Sequence, residues 1–118
     1  MNSLFAQGNR YPYTNTGAAI NSGDVITLAS GTANGYIGIA VSAIAATTGT
    51  GELCTGGYPE GVFTLVKNTG EVWTDGQPVY WDSVNKWFTN VPGTLTRGGR
   101  AFGSALSAAL TATIAINR

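Results

Sequence analysis

The chain contains no histidine. That absence excludes Ser–His and Cys–His nucleophilic pairs and removes the commonest zinc ligand. Cysteine is nearly missing too: Cys54 stands alone, so no internal disulfide can form and nothing points to an oxidising compartment. It reads as a small, half-buried hydrophobe. Charge is scarce. Six acidic and six basic residues make up 10% of 118 positions and cancel to a net charge of zero, against about 25% charged residues in an ordinary globular domain. With no Lys/Arg cluster, the electrostatic footprint of a nucleic-acid binder is missing. No apolar run approaches the ~20 residues that a membrane-spanning helix needs. The opening MNSLFAQGNRYPY lacks the basic region and apolar core of a signal peptide. The chain is therefore expected in a cytoplasm, with neither nucleic acid nor membrane as partner and with no cofactor or metal.

What the sequence does hold is 17 glycines and a 43% share of hydrophobic residues, spread as short alternating runs between turn signals. The turn Asn21-Ser22-Gly23-Asp24 precedes a β-branched strand over Val25 to Ala29, with Ile26 and Leu28 on one face. GYIGIAVSAI alternates Ile37, Ile39 and Val41 with Tyr36, Gly38 and Ala40. The small residues of the second set predict a close layer above them, such as further strands. A short strand is expected around Glu52 to Cys54. EGVFTLVKN sets Val62, Thr64 and Val66 opposite Phe63, Leu65 and Lys67. Pro78 marks a strand beginning or an edge, and Asp82 to Asn85 turns that strand into a hairpin with residues 86–89. Residues 94–106 and 111–117 are expected as the last two strands. Ser104 to Ala109 is the one stretch where Ala and Leu favour helix, read here as a turn or a single helical turn. Strand candidates every 8 to 12 residues point to an all-β domain, a small antiparallel barrel or sandwich. Residues 1–17, broken by Pro12 and the Thr14 to Gly17 cluster, are expected to form an extended N-terminal arm, and residues 18–118 the single β-rich domain.

Candidate chemistry is thin. Glu60, Glu71, Asp75 and Asp82 each lie in or beside a turn containing Gly or Pro, where carboxylates are usually just solvated. Asp75 and Asp82 do not have calcium-loop spacing. Gly49-Thr50-Gly51-Glu52-Leu53 has phosphate-loop glycines, but no lysine and no helix follow. Trp73, Tyr80, Trp81, Trp87 and Phe88 fall within 16 residues. They suit either a stacking platform for sugars or bases or a hairpin whose rings pair across strands and cap the core. The second arrangement is favoured.

The ordered series SGDVITLA, GYIGIAVSAIAATTGTGELCTGG, EGVFTLVKNTGEVWTDGQPVYWD and GRAFGSALSAALTATIAINR resembles a family of tailed-phage head decoration, or capsid cement, proteins, formerly a domain of unknown function. The likeness covers about residues 7 to 118, and EGVFTLVK with GQPVYWD is its most specific part. It departs from the family pattern at Gly99-Arg100-Ala101-Phe102-Gly103 and in the arm. The resemblance implies a non-enzymatic virion protein on the outer surface of the head, present in the host cytoplasm during assembly. Its implied partners are the major capsid protein and further copies of itself, as a homotrimer clamping capsomers at threefold and quasi-threefold sites. The expected interface residues are Leu4, Phe5, Tyr11 and Tyr13 of the arm, then Trp73 and Trp87 as exposed aromatics. An arm with Leu4 and Phe5 suits strand addition to a shell or neighbour sheet edge. The alternatives are a small carbohydrate-binding β module and a tail- or fibre-associated virion domain.

Overall fold

The computed structural model describes residues 10–32, 35–56 and 62–118. Nine strands carry the regular structure of these residues, and no helix occurs among them. The strands are β1 (Arg10–Thr14), β2 (Val25–Ala29), β3 (Tyr36–Ala40), β4 (Thr50–Cys54), β5 (Val62–Val66), β6 (Pro78–Asp82), β7 (Trp87–Thr89), β8 (Thr96–Ala101) and β9 (Thr111–Ile116). They form two antiparallel sheets, ordered β1-β4-β3-β2 and β5-β9-β8-β6-β7. The fold is all-β, as the strand spacing predicts.

The second sheet rolls towards closure. Its two edges, β5 and β7, meet just beyond β5 in a parallel bridge between Lys67 and Phe88, where Asn68 N–H donates to Phe88 O at 2.9 Å. The result is a half-barrel. Its filling is the main core: Trp73, Val79, Trp81, Phe88, Ile114 and Ile116, joined by Ile37 and Ile39 from the facing side of β3. Each fully buried aliphatic or Phe side chain of this kind contributes about 1.5–3 kcal/mol.

Because side chains alternate along a strand, the first sheet has a second apolar face, and it too is covered. Ala40 and Leu53 pack there with Ile20 and Ile44, with Tyr13, Ile26 and Leu28 leaning on them. The cover is a pair of loops instead of the expected strand layer. Ile20 and Ile44 exchange backbone hydrogen bonds of 2.9 and 2.8 Å. Buried Asn15 donates its amide to Ala18 O and Ala45 O, and its Oδ1 accepts from Gly17 N–H, which holds the loops together. The small residues of β3 do mark a close approach. A Cβ on Gly38 would lie 2.9 Å from the Leu53 side chain.

A side chain also joins the two sheets. Beyond Cys54, β4 no longer pairs with β3, and Asn117 takes its place. Its Nδ2 donates to Ile37 O and Thr55 O, both at 2.7 Å, and its Oδ1 accepts from Ile37 N–H at 3.0 Å.

Two expectations change. Residues 10–14 of the expected arm are a paired edge strand, because Tyr13 has the second cluster to pack on; residues 1–9 lie outside the described residues. The strand expected within 94–106 stops at Ala101, where Gly103 adopts a positive φ of 100°. Residues 104–109 form turns without helix, in keeping with the reading as a turn, and residues 105 and 107 bond to the segment between β5 and β6.

Candidate interaction surface

The loop from β8 to β9 lies along the connection from β5 to β6, and backbone bonds lock the two together. Trp73 and Ala105 exchange N–H···O bonds of 2.9 and 3.0 Å, Gly70 N–H donates to Ser107 O at 2.7 Å, and Lys67 N–H donates to Leu110 O at 2.9 Å. Asp75 Oδ1 accepts from Gly103 N–H at 2.8 Å. Alternation then sorts the side chains. Trp73 and Ala105 point into the core, and their neighbours Val72 and Leu106 point out. Leu106 is 78% exposed and Leu110 70%. Val91 is exposed as well and lies close by, since Asn90 Nδ2 donates to Val72 O. Beside the leucines runs a shallow groove of about 510 Å³, lined by small residues such as Thr64, Ala108, Thr111 and Thr113. Residues 101–117 carry no charge. The leucine side of the surface is thus apolar and uncharged, with its backbone held by these bonds, and the carboxylates of Glu71 and Asp75 lie at its border.

Its rigidity has an identifiable centre. Glu71 accepts hydrogen bonds from Trp73 Nε1 (3.0 Å), Asn68 Nδ2 (2.9 Å), Asn90 N–H (2.9 Å) and the Thr89 hydroxyl. Burial raises the pKa of this carboxyl, but the four donors outweigh that effect and hold it below its ordinary value of 4.5. Next to it Lys67, only 1% exposed, donates Nζ to Asn68 O and stands 5.7 Å from the centre of the Trp73 ring. These contacts pin the ends of β5 and β7, where the half-barrel closes, to the base of the exposed loop. The expectation of a merely solvated turn carboxylate fails at Glu71, because its own connection (Asn68, Trp73) and the end of β7 (Thr89, Asn90) supply four donors. It holds better at Asp82, which caps the exposed turn to Asn85; hydrogen bonds from the Asn85 side chain and backbone lower its pKa. Glu60 lies outside the described residues. No group of three or more metal-ligating side chains occurs among the described residues.

The aromatic residues separate. Trp73 is 1% exposed, which corrects the expectation of an exposed ring: its indole N–H is tied to Glu71 and its ring lies under Lys67. Trp81 and Phe88, paired across β6 and β7 with ring centroids 5.0 Å apart, are also core. Of this cluster, only Tyr80 and Trp87 keep partial exposure. Tyr13 is half-buried on the second cluster. Tyr11 is exposed and, with Tyr36, Thr55 and Asn117, lines a hollow of about 300 Å³ at the far end of β9 from the leucine patch. Leu4 and Phe5 lie outside the described residues. The leucine patch itself escapes a reading by periodicity. The available signal is two leucines in a Gly/Ser/Ala turn, where apolar side chains have no core to enter.

A family model described as phage cement protein matches residues 5–117, nearly the whole chain. The chain belongs to the phage cement protein family. No curated protein and no solved structure gives a significant match. Membership gives the chain a structural role in association with a phage capsid. For a cement protein the relevant chemistry is contact, and a rigid uncharged patch beside a groove of small side chains is suited to it.

Proposed function

We propose that this protein decorates the outer surface of the phage head as a homotrimer and clamps neighbouring capsomers at threefold and quasi-threefold junctions. The observation that carries this reading is the locked, uncharged leucine patch on a half-barrel of a cement-family chain. Genome pressure inside a head strains the junctions between capsomers. A clamp around a threefold axis offers one patch to three equivalent shell sites. Tethering the three contacts makes the second and third effectively intramolecular, so that weak contacts add up to firm attachment. A patch already ordered by folding loses little further entropy on docking.

The test is co-sedimentation with expanded heads that lack the protein, together with solution mass by light scattering across a dilution series. The wild-type chain is expected to saturate the heads and to show a trimer mass. Leu106→Asp combined with Leu110→Asp is expected to lower head affinity at least ~10-fold, the effect of losing about 1.4 kcal/mol, while leaving the thermal unfolding midpoint nearly unchanged because both side chains are exposed. Undiminished head binding by this variant would sink the patch as the contact surface.

A further inference from the structure

The first sheet has two edges, and they differ in what they offer an incoming strand. At β1, Asn15 N–H donates to Gly49 O. Alternation along the strand therefore turns the peptide groups of residues 11 and 13 towards β4 and those of 12 and 14 outwards. Position 12 is proline, so the outward edge of β1 lacks a donor there. At β2 the outward row is intact. Asp24 O accepts from Ala40 N–H, and Gly38 pairs with Ile26, which leaves the N–H and C=O groups of Val25 and Thr27 facing away from β3. Beside this edge opens a cavity of about 450 Å³, lined by Val25, Leu65, Val66, Trp81 and Phe88, with Asp24 and Lys86 among its polar lining. Val66 is 51% exposed. Ile26 and Leu28, on the opposite face of β2, are only half-buried on the second cluster.

We propose that the edge of β2 is an acceptor for the N-terminal segment of a second copy of this chain, with residues 3–7 added as a fifth strand. A strand placed there continues a sheet that is apolar on both faces, so it needs apolar residues at adjacent positions. Leu4 and Phe5 supply them within an uncharged stretch: one side chain enters the cavity beside Val66 and the other covers Ile26 and Leu28. Main-chain bonds give such a strand its affinity and the cavity its selectivity. The self-association proposed above supplies a neighbouring copy as donor. Arg10 begins β1 in the same row as Cys54, Ile39 and Val25. Across its own sheet, the half-barrel covers one face and the two loops cover the part of the other around Ala40 and Leu53. The nine residues before Arg10 span roughly 30 Å when extended, enough to leave that edge and lie along the β2 of a copy packed beside it. The inference rests on the head-bound, self-associating reading above.

The test replaces Val66 with the photo-reactive p-benzoylphenylalanine. This variant, at natural isotope abundance, is mixed with ¹⁵N-labelled wild-type protein, assembled on heads and irradiated. Tryptic peptides joined to position 66 are then identified by mass. The expected product joins position 66 to a ¹⁵N-labelled peptide of residues 1–10, and it is lost when the labelled chain carries Leu4→Asp with Phe5→Asp. A product with only unlabelled residues 1–10, a product with a shell peptide, or none with residues 1–10 would overturn the exchange while leaving head binding as measured. Failure of the mixed protein to bind heads would overturn the capsid reading and the exchange with it.

Discussion

Glu71 ties together four groups from separate stretches of chain, and its ionisation is linked to folding. Its carboxyl has a lower pKa when folded than the ordinary 4.5. It therefore stabilises the fold fully above that ordinary value, and the contribution is lost as pH falls through the folded pKa. Asp82 acts in the same direction. The unfolding midpoint is expected to hold steady from about pH 7 to 5 and to fall between about pH 5 and 3. In Glu71→Gln the new amide faces the donors of Asn68 and Thr89. That variant is expected to lose about 1–2 kcal/mol at neutral pH and to show a shallower acid slope than wild type. Thermal unfolding followed by circular dichroism across this range would check both, and an unchanged slope in Glu71→Gln would place the acid sensitivity elsewhere. In sequence Glu71 is one more turn carboxylate. Its donors at 89 and 90 lie 18 and 19 positions away, and only the approach of β7 to β5 brings them within reach.

Strand ends are where this fold uses side chains in place of backbone. Asn117 finishes the pairing that β4 leaves undone beside β3, and it does so from a left-handed backbone at φ 57°, a conformation that asparagine tolerates better than most residues. Asn117→Ala leaves the Ile37 N–H, Ile37 O and Thr55 O without this partner. The expected cost is about 2–4 kcal/mol, with faster hydrogen exchange at the Ile37 amide. An exchange rate at Ile37 equal to that of wild type would remove Asn117 from this role. The bulge in β8 is another local device: the register with β6 shifts between Val79 and Tyr80, and Gly99 sits there at φ 153°, where a Cβ would come within 2.2 Å of Ala115 O. Strand positions were legible because alternation and turn residues are local signals. The hairpin of β6 and β7 and the pairing of Trp81 with Phe88 follow from them directly. Asn117 was not legible as a staple, since its partners lie 62 and 80 residues away.

For the molecule as a whole, charge scarcity has a consequence for attachment. The patch formed by Val72, Val91, Leu106 and Leu110 has no ionised side chain of its own. If this patch is the contact surface, as proposed, its affinity for heads comes from area removed from water, which salt does not screen. Head occupancy at fixed protein concentration is expected to change less than about threefold between roughly 0.05 and 0.5 M NaCl, because the Debye length shortens without an ion pair to weaken. A steep loss across that range, read by sedimentation, would point instead to the arginines at 97, 100 and 118 as the contact.

The class of this protein can be read from its residues alone. Absent histidine, a lone cysteine and scattered charge removed most chemistry, alternating runs specified an all-β domain, and an ordered series of short motifs carried the family. These signals are local or cumulative along the chain, so they survive without coordinates. The tertiary structure decided which apolar residues remain outside. Trp73 enters the core because the half-barrel closes over it, and Leu106 and Leu110 stay exposed because their turn is bonded to the rim. It also decided which sheet edge is blunted by Pro12 and which, at β2, stays open beside a cavity. Exposure and edge position depend on which distant segments meet, and no window of sequence contains that information.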